Sequence, residues 1–285
     1  MTAVRRAKLA GSWYEGVPAA LGRSIDRFVG AVDKTPYAVR GAVLPHAGHT
    51  FSGNGIARAF ANLPAGIDHV MILAPSHYAL LPAGRIGYGD FDKLATPLGD
   101  ITGITGLFNG EPFSAMDRAI EAEHSAEMFL PFIKRLLPDA DAAILLVPRI
   151  GDEPTLRRFA DAITAATAPL DPLRTLIIAS SDFTHYGDRF GHTPFGTRDL
   201  DGVLDRVAAM DRKYARYLAT HGYEKLFADR EREDPSICGL DPALVLSRLM
   251  ELRGLTGETA GYYTSCDLLG KSADFVCYAT ILFHD

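Results

Sequence analysis

Long apolar runs, clustered positive charge and paired cysteines are all missing from this 285-residue chain. Its longest apolar stretches, 142–148 and 275–283, fall well short of the about 20 residues a membrane-crossing helix needs, so no membrane partner is expected. Lys and Arg number 29 against 35 Asp and Glu, for a net charge of −6, and no basic stripe stands out. A nucleic-acid partner is not expected on that ground, because neutralising phosphates takes concentrated positive charge. The three cysteines, Cys238, Cys266 and Cys277, are odd in number and lack CxxC spacing. A disulfide framework is therefore not expected, and a reducing, cytoplasmic compartment is the default. Arg5-Arg6 is followed by no apolar stretch of the kind that marks a secretion signal. HExxH, a P-loop, a dinucleotide-type glycine fingerprint and the GxSxG hydrolase elbow are missing too.

What is there is an alternation of helical and strand-like segments from end to end, without repeats or linkers. That pattern predicts a mostly parallel sheet with helices on both faces. Strand-type runs fall at 41–44, 70–74, 143–147, 175–179 and 275–283, and their Val, Ile and Leu content suits strands buried on both sides. Helices are expected at 18–32, 53–63, 125–137, 153–167, 204–220 and 242–253. Pro18 suits a first helical turn, whereas Pro131 is expected to break or kink its segment. Segment 80–115 is rich in Gly and Asp and has no clear period.

Three of the strand-type runs end alike, in small residues followed by a histidine: His46 after 41–44, His77 after 70–74, and His185 after Leu176-Ile-Ile-Ala-Ser-Ser-Asp-Phe-Thr. In a parallel α/β sheet, ligands bind beyond the carboxyl ends of the strands, so these imidazoles are delivered to one edge. Any one of them alone reads as well as a histidine hydrogen-bonded into its loop; the recurrence carries the site. His49, three residues after His46, is expected to point elsewhere. Asp182 stands three residues before His185, where it can orient an imidazole, bind a metal, accept a proton or cap the turn. His124 precedes Ser125, a good N-cap, which makes Glu123 and Glu127 read as partners of a helix dipole. Cys238 lies in the turn-rich loop Asp234-Pro-Ser-Ile-Cys-Gly239, open to thiolate formation beside a metal or an imidazole. Cys277 reads as core. Two imidazoles with a thiolate or carboxylate make an open three-ligand site suited to Fe(II), Cu or Zn.

Six stretches, in this order, are similar to the Memo family, whose prokaryotic members are called AmmeMemoRadiSam system protein B. They are Ala10-Gly-Ser-Trp-Tyr14, Pro45-His-Ala-Gly-His-Thr-Phe-Ser-Gly53, Ala74-Pro-Ser-His77, Glu123-His-Ser-Ala-Glu-Met-Phe-Leu-Pro-Phe132, Ser180-Ser-Asp-Phe-Thr-His-Tyr-Gly187 and Ile237-Cys-Gly239. The resemblance implies one Memo-like domain over 1–285, a three-layer α/β/α sandwich with a central, mostly parallel, mixed sheet like that of class III extradiol dioxygenases. It further implies metal ligation by His46, His77 and Cys238, with Fe(II) ahead of copper and zinc behind both. His185, Asp182 and His124 become the catalytic candidates, and Arg189, Trp13, His49 and Tyr186 the substrate-binding ones. The chain departs from the animal proteins at His49, where they have Tyr, and at Tyr186, where they have Trp; both changes are expected at the pocket rim.

Three functions are compatible with those residues. The leading one is a metal-dependent, non-haem oxidoreductase in which His185, oriented by Asp182, moves a proton and Arg189 holds an anionic group of a small substrate. The thiolate ligand, itself oxidisable, weakens the inference to ring cleavage but suits redox chemistry. The family name implies functional association with a radical-SAM protein and an AMMECR-like protein. The second is a binding module for an anionic, phosphorylated ligand, since animal Memo proteins are described as phosphotyrosine adaptors. The third is a zinc hydrolase with Asp182 activating water.

Overall fold

Residues 2–285 are described by a computed structural model. The strands are β1 (Val4–Arg5), β2 (Gly41–Leu44), β3 (His69–Ala74), β4 (Ile86–Tyr88), β5 (Lys93–Leu94), β6 (Ile101–Thr102), β7 (Phe113–Ala115), β8 (Asp141–Leu146), β9 (Thr175–Ser180), β10 (His185–Tyr186), β11 (Thr256–Thr264) and β12 (Phe275–His284). The helices are α1 (Pro18–Gly30), α2 (His49–Phe60), α3 (Asp117–Ala122), α4 (Leu130–Leu136), α5 (Glu153–Ala166), α6 (Leu200–Ala219), α7 (Tyr223–Glu233), α8 (Leu240–Leu252) and α9 (Ser265–Leu269).

Four strands, in the spatial order β2-β9-β3-β8, run parallel and form the centre of a mixed sheet. Antiparallel β12 and β11 extend it on one side, and β4 with β7 on the other. The central strands are buried on both faces, and their side chains alternate between two cores as a period of two requires. Ala42, Leu44, Val70, Ile72, Leu176 and Ile178 pack against α1, α2 and α4. Val43, Met71, Leu73, Ile177 and Ala179 pack against α5, α6 and α8. The fold is thus a three-layer α/β/α sandwich. A small sheet, β1-β5-β6, stands apart.

The carboxyl edge is opened by a crossover. β2 stops at Leu44, and the chain leaving β9 takes up the vacated hydrogen bonds of β12: Phe183 donates to Cys277 O, and Cys277 donates to Thr184 O. The chain thereby turns across the ends of the parallel strands, which is where His46 and Asp182 are found.

Several element boundaries differ from the sequence expectation. α2 begins at His49 and not at 53, because Gly53 and Gly55 lie inside it as contact points. A Cβ on Gly53 would meet the Phe28 ring at 2.5 Å, and one on Gly55 would meet Pro45 at 2.6 Å. Pro131 neither kinks nor breaks a helix. It stands in the first turn of α4, where its missing N–H is no loss, and a 3₁₀ turn at Glu127–Phe129 precedes it. α7 and β11 were not expected at all. Each keeps one narrow buried face: only Tyr223, Leu226 and Asp229 are buried in α7, and only Thr264 in β11. Among the described residues no helix is long and apolar enough to cross a membrane.

Asp211, fully buried on α6, accepts hydrogen bonds from Thr184 Oγ1 at 2.6 Å and from the Tyr262 hydroxyl at 2.9 Å. Burial pushes its carboxyl up to about 6 against those bonds. A raised carboxyl favours folding while protonated, so its contribution is complete below the ordinary value of 3.8 and is lost as pH rises through about 6. Asp211→Asn is expected to gain stability relative to the native chain between about pH 4 and 6.5, by on the order of 3 kcal/mol. Urea melts across that range measure it; parallel curves for the two proteins would refute it.

Candidate metal centre

His46 follows Pro45 directly beyond β2 and is almost wholly buried. Its main-chain N–H donates to Asp182 Oδ1 at 2.8 Å, and its Nδ1 lies 2.7 Å from Ser180 Oγ. Ser180 spends its single hydroxyl proton on Ser125 O, at 2.7 Å, so it can only accept from His46. That assigns the proton of His46 to Nδ1 and leaves Nε2 with a free lone pair. Nε2 faces Cys238 Sγ at 3.3 Å.

His77 is fixed in the same sense by a different group. The Glu123 carboxylate accepts from its main-chain N–H at 2.6 Å and from its Nδ1 at 2.8 Å, and also from Ser125 N at 3.1 Å. Burial alone would raise Glu123, but the His77 bonds overcome it and hold the group at about 2. His77 therefore also carries its proton on Nδ1. His185 repeats the pattern, with Nδ1 3.3 Å from Ser236 O. Such outer partners on Nδ1 fix the ring and its tautomer in metal-ligating histidines.

Cys238 reaches the site because Gly239 lets the loop before α8 lie against the end of β9. A Cβ on Gly239 would fall 2.0 Å from Ser180 O and 2.6 Å from Ser181 Cα. One ligand atom each from His46, His77 and Cys238 lie within 4.8 Å of one another. Bonds of about 2.1 Å to nitrogen and 2.3 Å to sulfur in a tetrahedral centre put the two donors about 3.6 Å apart, so the three side chains fit a bound iron, copper or zinc ion. His77, Glu123 and His124 form a second group of the same compactness. Burial, then the neighbouring imidazoles, hold His46 well below its usual range. Burial and then His77 bring His124 to about 4. Burial raises Asp182, and burial followed by the Asp182 charge pushes the Cys238 thiol far up.

The site opens into a cavity of about 610 Å³ whose wall includes His46, His77, His124, Asp182 and His185. Trp13, Arg189 and Phe190 line it too, and Trp13 leans on His124 with ring centres 4.9 Å apart. Of the residues singled out in the sequence, His46, His77, His124, Asp182, His185, Trp13, Arg189 and Cys238 come together, whereas His49 and Tyr186 do not. His49 is the first residue of α2, buried between Tyr14 and Phe132, with Nε2 on Met128 O at 2.9 Å. It lines a neighbouring cavity on the far side of the Trp13 loop. Tyr186 is buried behind the wall, stacked on Phe275, with its hydroxyl on Gly196 O at 2.6 Å. Asp182 does not orient His185; its Oδ1 serves the main chain of His46. Glu123 and Glu127 are not helix-dipole partners on a surface, since both are buried and hydrogen-bonded. Sequence reasoning gave Ser180 and Glu123 no part in holding the candidate ligands, although they fix the rings of His46 and His77.

Fold and site together define an α/β/α sandwich with an open His/His/Cys donor set at the carboxyl edge of its parallel strands. The sequence model of the Memo-like protein family matches residues 5–282, and the chain belongs to that family. Protein memo-1 homolog of Caenorhabditis elegans is 30% identical over 254 residues, covering 87% of this chain and 71% of that protein. A MEMO1 family protein of Thermococcus onnurineus is 30% identical over 302 aligned positions and 99% of both chains. One from Methanosarcina acetivorans is 29% identical over 289 positions, 98% of both.

Gly239→Ala is expected to lose about 1–3 kcal/mol of stability through overpacking and to weaken metal uptake. Thermal melts and anaerobic metal titration test this; an Ala variant as stable as the native chain would show that the Cys238 loop is free to move.

Proposed function

We propose that this Memo-family chain is a metal-dependent, non-haem oxidoreductase that holds iron or copper with His46, His77 and Cys238. The observation that carries the reading is the convergence of two Nδ1-protonated imidazoles and a thiol within 4.8 Å. A soft thiolate beside two imidazoles favours iron, copper or zinc over Mg²⁺ or Ca²⁺. A bound iron or copper ion supplies a one-electron couple and an open coordination position. The protein supplies the rest. His185, with its Nδ1 on Ser236 O, keeps Nε2 free to accept or return a proton on the cavity side. The main-chain N–H of Arg189 donates to Asp274 Oδ1 at 3.0 Å, while its guanidinium, which lines the cavity, offers a fork for an anionic group of the substrate. Trp13 and Phe190 flank an apolar body and displace water from it. The free state of all three cysteines agrees with a reducing cytoplasm.

Elemental analysis of anaerobically purified protein tests the reading. Near-stoichiometric iron or copper is expected in the native chain, with loss of most of it in both His77→Ala and Cys238→Ala. A native chain that stays empty, and refuses Fe(II), copper and zinc on titration, would sink the oxidoreductase and leave a binding module for anionic ligands.

A further inference from the structure

We propose that the buried Arg5–Glu127 ion pair is a positioning device, which sets both the His77 side of the donor set and the Trp13 wall of the cavity. Arg5 comes from β1, the strand of the small outlying sheet, yet has no exposed surface. Its Nη1 donates to Glu127 Oε2 at 2.8 Å, its Nη2 to Glu123 O at 2.7 Å and its Nε to Ile120 O at 3.3 Å. The guanidinium thus fixes the main chain of the residue whose carboxylate fixes both the main chain and the ring of His77. No lysine reproduces that, since the three acceptors are read by one rigid planar fork.

The other oxygen of Glu127 works on the opposite wall. Oε1 accepts from Leu9 N and from the Tyr14 hydroxyl, each at 2.8 Å, and so pins both ends of the loop that carries Trp13. Trp13 O in turn accepts from His49 N at 2.8 Å. One ion pair therefore ties a candidate ligand and a cavity wall to the same point, and neither Arg5 nor Glu127 touches a donor atom. Desolvating two charges is costly, and a buried pair is often replaceable by apolar side chains without loss of stability. Its retention here is accounted for by placement.

The double variant Arg5→Met/Glu127→Met separates placement from stability. The metal-free variant is expected to melt at or above the native temperature. In ¹⁵N NMR of the metal-free protein, His77 should lose its single Nδ1–H tautomer. The emission of Trp13, the chain's one tryptophan, should move to the red. Co(II) affinity should fall about tenfold or more. Arg5→Lys, which keeps the charge opposite Glu127 but loses the fork, should show the same tautomer change in milder form. A stable double variant with unchanged His77 tautomer and Trp13 emission would overturn the proposal. So would a double variant that cannot fold, because the pair would then be a stability element. The affinity arm alone rests on the metal-centre reading: a native chain that takes no Co(II) defeats that reading, while the tautomer and the emission still decide this one.

Discussion

The corner at Ser180-Ser181-Asp182 is the constraint on which the site depends. Within three residues it holds the ring of His46 through Ser180 Oγ, the main chain of His46 through the Asp182 carboxylate, and Ser125 O through the Ser180 hydroxyl. Against its other side lies Gly239, with no room for even a methyl group. Loops from β2, from the segment before α4 and from the start of α8 are therefore all referenced to the end of β9. β9 itself is held between β2 and β3 in the middle of the parallel sheet. The rigidity of the sheet is passed to the donors without an intervening flexible segment.

Electrostatics and tautomers reinforce that geometry. Four imidazoles share one cavity, and desolvation together with their mutual repulsion keeps His46 and His124 neutral through the ordinary pH range. His46, with Nδ1 occupied by Ser180, presents its Nε2 lone pair to Cys238. Two carboxylates, Glu123 and Asp182, lie behind or beside these rings. Each accepts main-chain N–H groups, so that their charge is partly balanced before any ligand arrives. A desolvated thiol facing the free Nε2 of a buried, neutral His46 constitutes an arrangement that a cation relieves more readily than a proton does.

Much of this was legible in the residues. Apolar runs of four to nine residues, without polar alternation, marked strands buried on both faces, and His46 and His77 beyond them marked the carboxyl edge. Cys238 was readable from its turn-rich loop beside glycine. The connections were less visible. Glu123 and Glu127 carry the charge pattern of an exposed first helical turn, and only the fold shows that Arg5, more than a hundred residues earlier, meets them from the far side. The resemblance put His49 and Tyr186 at the rim, but backbone direction decides such questions. α2 starts at His49 and turns its ring inward, and β10 turns Tyr186 behind Phe275. β11 was hidden because its Gly-rich, half-exposed sequence carries little of the pattern that identified the other strands.

The donors are distributed along the chain in a way that bears on how the protein comes into being. His46 and Cys238 are 192 positions apart, and the corner that unites them lies between. During synthesis two histidines emerge early, but the sulfur follows only about 160 positions after His77. Pairing so remote is entropically late in folding, since the intervening loop must close before the contact forms. The C-terminal strand β12, which supplies Phe275, Val276 and Tyr278 to the cavity wall, arrives later still. A chain cut short of Cys238 thus offers scattered imidazoles, and the three candidate donors come together only once the sulfur has been added.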